Sequence, residues 1–122
     1  MPSPDVAAFL RGHFKSVWAL ELLLFLKDHA DKAWPGEALV AVLRTSETIV
    51  SMSVATLLAG GLVAEEADGA VRYAPASDDL SRLVDITQAL YATKPNAVRR
   101  VIVGESAQGL SAFANSFKLR ND

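Results

Sequence analysis

The chain has 122 residues, of which 51% are hydrophobic and 21% charged, and its net charge is −2. This composition predicts one domain and is too apolar for intrinsic disorder. The absence of cysteine excludes disulfides, thiolate metal sites and cysteine nucleophiles. We expect a cytoplasmic protein without a membrane segment, because apolar runs such as Leu22 to Leu26 are far shorter than the ~20 residues of a span.

The first third of the chain predicts helices. Residues 1–13 combine two prolines with a short apolar patch and predict a short helix or arm. Residues 14–30 are apolar on nearly every side of a helix, which is typical of a helix buried against several neighbours. We expect Trp18 and Trp34 to be core anchors. A shorter helix is predicted over residues 35–43, with three side chains facing inward: Leu39, Val42 and Leu43.

A capped helix follows a tight break at residues 44–46. Ser46 is a good N-cap, so a helix is predicted from Glu47 to Ala59, where Gly60-Gly61 ends it. Its apolar residues recur at i, i+4, i+7 and i+8 and predict one buried stripe of Val50, Val54, Leu57 and Leu58.

The remaining residues predict a hairpin and more helices. Residues 62–65 and 70–73 read as two strands joined by a turn at residues 66–69. Helices are then predicted over residues 78–92 and 96–103 and from about Ser106 onward. The predicted fold class is therefore mainly α with a small β-hairpin, as a single domain over residues 1–122.

The order of these elements resembles that of winged helix-turn-helix proteins. The resemblance covers about residues 16–75 and is carried by short sequences on both sides of the predicted break: Trp34-Pro35, Thr45-Ser46, Leu57-Leu58, Gly60-Gly61-Leu62-Val63 and the return strand Gly69 to Tyr73. Flanking helices make the chain similar to small bacterial transcriptional regulators of the MarR type. The resemblance implies a winged-helix core at about 14–75 and a helical extension at about 77–122.

The resemblance implies a DNA-binding transcriptional regulator that takes double-stranded DNA as its partner. In such proteins the second helix of the motif enters the major groove and the hairpin, called the wing, contacts the backbone or the minor groove. By position, the DNA-binding residues would be Arg44, Thr45, Ser46, Thr48, Ser51, Met52, Ala55 and Arg72.

The charge of this region departs from the family pattern. Residues 33–80 contain two basic and seven acidic residues, and the predicted recognition helix has no Arg, Lys, Asn or Gln to pair with base edges. A negatively charged wing repels phosphates. The sequence therefore leaves a second hypothesis open, a winged-helix module that binds a protein and has no affinity for DNA.

A homodimer is expected, because the terminal helices of MarR-type proteins dimerise and two apolar stripes lie outside the motif. The candidate dimer residues are Leu80, Leu83, Leu90, Leu110, Phe113 and Phe117. The same stripes could instead pack on the domain's own core. Arg99 and Arg100 could contact phosphate or an acidic protein partner, or form a solvated helix end.

We predict no enzymatic activity, no cofactor and no metal site. His13 and His29 are the only histidines, and no ligand motif surrounds them. The segment from Gly104 to Gly109 superficially matches a nucleophile elbow, but its second glycine comes one residue late and no partner histidine is evident.

Overall fold

The computed structural model describes residues 3–104. Five helices and a two-stranded hairpin are followed by a sixth helix, α6, which covers residues 95–104 up to the last described position. The preceding elements are, in chain order, α1 (Pro4–His13), α2 (Val17–Asp28), α3 (Gly36–Leu43), α4 (Glu47–Ala59), β1 (Val63–Glu65), β2 (Val71–Tyr73) and α5 (Asp78–Thr93). The predicted fold class, mainly α with a small β-hairpin, is confirmed. The helix predicted from Ser106 lies outside the described residues.

Serine side chains fix where four of the helices begin. Ser3, Ser16, Ser46 and Ser77 each accept a hydrogen bond from the backbone N–H three residues later, at 3.1–3.3 Å. Such caps satisfy donors that have no partner within the helix. Because Ser16 caps α2, the predicted start of this helix at residue 14 is wrong, and Phe14 is instead the buried, extended residue that ends α1.

The end of α4 is set by glycine, as predicted. Gly61 has a φ of 72°, in the left-handed region that favours glycine. Its N–H donates to the carbonyl of Leu58, and the N–H of Leu62 donates to that of Leu57, both at 3.1 Å. This is the Schellman pattern, which turns the chain directly from α4 into β1.

The hairpin is antiparallel, with Ala64 opposite Arg72, and its turn lies at residues 66–69 as predicted. The carboxylate of Asp68 accepts from the N–H of Ala70 at 3.0 Å and stabilises that turn. On the far side of β2, Trp34 exchanges two backbone hydrogen bonds of 2.8 Å with Val71. The hairpin is therefore attached to the chain segment that precedes α3.

The hydrophobic core is centred on α2, which contacts α3, α4 and β2. Its leucines at positions 20, 22, 23 and 26 are fully buried, as its nearly continuous apolar sequence predicts. The same core cluster includes Phe9 of α1, Val84 of α5 and Ile102 of α6, so it extends well beyond residues 14–75. Trp18, in the first turn of α2, is 39% exposed, and its prediction as a core anchor is wrong. Trp34 is partly buried against the core.

Helix α5 packs on the domain's own core. Val84 and Thr87 are fully buried, whereas three candidate dimer residues, Leu80, Leu83 and Leu90, are partly buried against the core cluster. Lys27 of α2 links the two helices, because its Nζ donates to Gln88 at 2.7 Å and pairs with Asp85 at 3.2 Å. The other candidate dimer residues, Leu110, Phe113 and Phe117, lie outside the described residues.

No single helix among residues 3–104 has both the length and the apolarity of a membrane span.

Candidate recognition groove

The connection between α3 and α4 is a tight three-residue turn. The chain changes direction by 112° between the two helices. Arg44 adopts the left-handed conformation with a φ of 55°, which is unusual for a residue with a side chain, and the N–H of Thr45 then bonds to the carbonyl of Val40. Ser46 caps α4 at once. This turn holds α4 across the end of α3.

One face of α4 is open to solvent. Thr48, Ser51, Met52 and Ala55 are all exposed, and Met52 retains 64% of its accessible surface. Val50 and Leu57 on the opposite side are buried. The predicted orientation of the helix is therefore confirmed, while the role of the exposed face stays a prediction.

One position of the predicted buried stripe is wrong. Leu58 is 37% exposed, and Ser53 is buried in its place. A helix advances by about 100° per residue, so Val50, Ser53 and Leu57 cluster on one side while Leu58 lies about 100° away from Leu57. Leu58 and the partly buried Val54 therefore line the edge of the exposed face.

In helix α3, too, the buried face differs from the predicted one. Leu39 is fully buried and Leu43 is partly buried, as predicted. Val42 is 45% exposed, so its predicted inward orientation is wrong, and Val40 is the residue that packs against the core. Val40 also reaches the surface beside α4, where it joins Val54 and Leu58.

These side chains form a groove between α3, α4 and the hairpin. Its volume is about 620 Å³. The floor is aliphatic and consists of Val40, Val50, Val54, Leu58 and Val71. Four small residues, Ser51, Ala55, Gly36 and Gly69, also line the groove, and three glutamates complete the lining: Glu37, Glu47 and Glu65.

The charge of the groove is negative. Glu37, Glu47 and Glu65 come from α3, α4 and β1, and all three are exposed. Within residues 3–104 no lysine or arginine lines the groove, and none of these three carboxylates takes part in an ion pair or a side-chain hydrogen bond. The groove therefore offers an apolar surface surrounded by unpaired negative charge.

The predicted DNA-binding residues are only partly brought together. Ser51 and Ala55 line the groove, and Thr48 and Met52 extend the same helix face. Arg44 and Arg72 are exposed but are not among the lining residues, so their positive charge does not offset the glutamates of the groove. Thr45 is half-buried in the turn, and the hydroxyl of Ser46 is engaged as a cap.

The groove itself is not predicted by the sequence pattern. The apolar periodicity of α4 predicts Val54 and Leu58 in the core, and Glu37, Glu47 and Glu65 contribute to the sequence-based prediction only through their charge. The available signal was the spacing of Glu47, Val50, Val54 and Leu58 at intervals of three and four residues, which places an acidic residue at one end of an aliphatic row.

The two histidines and the segment that begins at Gly104 are the other candidate sites in the sequence. Among residues 3–104, no group of three or more His, Asp or Glu side chains is arranged to hold a metal ion. His13 and His29 instead contact aromatic rings, Phe9 and Phe25, at centroid distances of 4.6 and 4.4 Å. The segment from Gly104 to Gly109 lies almost entirely outside the described residues.

The chain was compared with known protein families, curated proteins and solved structures. No family, curated protein or solved structure matches it. The groove and its chemistry are therefore the basis for any assignment of function.

Proposed function

We propose that this chain is a winged-helix domain that recognises a protein partner through the groove between α3, α4 and the hairpin. Two helices joined by a short turn at roughly 90–120° and followed by a hairpin are the elements of that architecture. The 112° bend between α3 and α4 and the hairpin at residues 63–73 support this interpretation. A cytoplasmic location, expected from the sequence, is part of the proposal.

The acidic groove is the observation that carries the choice of a protein partner. DNA binding depends on neutralising phosphates with Lys and Arg, and a specific contact requires side chains that pair with base edges. The exposed face of α4 has no Lys or Arg for phosphates and no Arg, Lys, Asn or Gln for bidentate base contacts, and the neighbouring Glu37, Glu47 and Glu65 repel phosphate. An aliphatic floor with a polar rim is instead the anatomy of a protein interface.

DNA binding by a homodimeric regulator is the second candidate. It is favoured by the unobstructed polar face of α4, where Thr48, Ser51 and Met52 are exposed as a recognition helix requires. Arg44 and Arg72 would then contact phosphates. This hypothesis requires that DNA approach α4 at an angle that keeps it away from the three glutamates.

A pair of binding measurements tests the proposal. Purified protein titrated into fluorescent duplex DNA at physiological salt should bind with a Kd no tighter than the non-specific range of about 10⁻⁴ to 10⁻⁶ M. In cells, a photo-crosslinking amino acid in place of Met52 should capture a protein, whereas the same amino acid in place of Ile86 on α5, 43% exposed, should not. Tight DNA binding whose affinity falls steeply with salt would establish the second candidate instead.

A specificity control connects the captured protein to the groove. The double variant Glu47→Gln/Glu65→Gln should reduce crosslinking from position 52, whereas Asp31→Asn/Glu66→Gln, which removes two exposed carboxylates outside the groove, should not. Equal effects of the two double variants would contradict recognition through the groove.

A further inference from the structure

We propose that the partner enters the groove as an amphipathic helix, and that lysine or arginine residues flank its apolar face. This inference rests on the proposed function and specifies the chemistry of the partner. Three observations support it: the row of aliphatic side chains on the groove floor, the small number of free backbone groups on the hairpin, and the negative charge of the groove rim.

The floor is a straight row along one helix. Val50, Val54 and Leu58 follow each other at intervals of four residues on α4 and span about 12 Å at 1.5 Å per residue. Val54 and Leu58 are the accessible part of this row, and Val50 is buried at its N-terminal end. Rows of side chains spaced by four residues are the ridges against which a second helix packs. A partner helix of two to three turns, with apolar residues at i, i+3, i+4 and i+7, matches this length.

An extended partner strand is the alternative, but the hairpin offers few free main-chain groups with which such a strand could form hydrogen bonds. The hairpin strands have only three residues each, Val63–Glu65 and Val71–Tyr73. On the outer side of β2, Trp34 already pairs with both backbone groups of Val71. Because strand addition gains its affinity from a run of free main-chain groups, this hairpin favours a helical partner.

The negative charges at the groove rim indicate which residues flank the apolar face of the partner helix. Glu47 lies one turn before Val50 at one end of the row, Glu37 lies on the α3 side and Glu65 on the hairpin side. Cationic side chains on the partner can therefore meet a carboxylate at three separate places while its apolar face covers the floor. Charge complementarity of this kind also steers association and excludes acidic helices.

A designed peptide provides the probe. It has about 15 residues, leucines at i, i+3, i+4 and i+7, and lysines on both flanks of the leucine face, so that it forms a short amphipathic helix. One control peptide carries glutamate in place of every lysine. Binding to the full chain is measured by fluorescence anisotropy, and the contacted residues are located from amide shifts in NMR spectra.

We expect the lysine peptide to bind at the groove and the glutamate peptide to bind at least about 10-fold more weakly. Glu47→Gln/Glu65→Gln should weaken the lysine peptide by roughly 2- to 25-fold, since an exposed pair contributes about 0.2–1 kcal/mol. Asp31→Asn/Glu66→Gln should leave its affinity unchanged. Added salt should weaken the complex of the lysine peptide with the wild-type chain, and it should weaken the complex with Glu47→Gln/Glu65→Gln less.

Several results would overturn the inference. Equal affinity for the lysine and glutamate peptides would remove the role of charge, and amide shifts away from α4 would remove the groove as the site. Two basic residues near the C-terminus, Lys118 and Arg120, are an alternative occupant of the groove. Amide shifts in α4 caused by Lys118→Gln/Arg120→Gln in the absence of peptide would show that this segment of the chain occupies it. If no peptide binds while the crosslink from position 52 still captures a protein, the helix is refuted and the proposed function stands. Loss of both refutes the proposed function as well.

Discussion

Replacing each of the two adjacent leucines at the end of α4 by alanine tests the helix orientation on which the groove depends. Leu57 is fully buried, whereas Leu58 is 37% exposed at the groove. Loss of three buried carbon atoms costs roughly 2.4 kcal/mol in transfer free energy. At Leu57 the enclosed cavity adds to this loss, so we expect destabilisation by about 3–4 kcal/mol, within the ~2–5 kcal/mol of core leucines.

Leu58→Ala is the matched control, because it deletes the same atoms from a side chain that is partly in water. The transfer loss is then at most about 1.5 kcal/mol, and the open groove leaves no enclosed cavity. Urea unfolding followed by circular dichroism gives the free energy of unfolding of both variants, and the two values can be compared if the m value is unchanged. Equal losses, or a larger loss for Leu58→Ala, would mean that α4 is rotated and that the groove floor is wrongly assigned.

Three further predictions concern stability. Gly61→Ala should destabilise the fold by about 1–2 kcal/mol, because Gly61 has a positive φ. Gly12→Ala is the control: Gly12 lies in helix α1 with open space around it, so the change should be neutral or stabilising. Equal effects of the two variants would refute the Schellman turn. Lys27→Met should cost about 1 kcal/mol by removing the contacts to Gln88 and Asp85, while Lys15→Met on the surface should not; thermal unfolding would separate them. Burial, together with its hydrogen bond to Glu21, raises the pKa of Tyr91 above 10.0, so its contribution to stability is complete below pH 10 and is lost as pH rises through the folded-state pKa. Tyr91→Phe should therefore reduce the loss of stability above pH 10, and an unchanged alkaline profile would contradict this role.

The order and approximate bounds of the described elements could be predicted from local sequence. Ser46 and Gly60-Gly61 predict the limits of α4 correctly, because capping and a left-handed glycine act within one turn of the helix. The start of α2 was predicted three residues early, since the buried Phe14 continues the apolar pattern although it lies outside the helix. Hydrophobicity alone does not distinguish these two situations.

The exposure of individual apolar residues could not be predicted in the same way. Trp18, Val42 and Leu58 belong to apolar stripes in the sequence, yet 37–45% of each is exposed. An apolar stripe is wider than the surface that one neighbouring element covers, so residues at its edge are buried only where a second element reaches them. No second element covers Leu58 within the described residues, and the groove is the consequence.

The sequence by itself determined the order of the elements, the inward face of α4 and the negative charge of residues 33–80. These properties follow from the residues of each segment and their neighbours along the chain. Only the tertiary structure decided that Glu37, Glu47 and Glu65, which are far apart in the chain, surround one aliphatic floor. The 112° bend between α3 and α4 is set by the local turn at residues 44–46. The attachment of the hairpin to Trp34, which brings Glu65 to the groove, depends instead on contacts between residues that are distant in the chain.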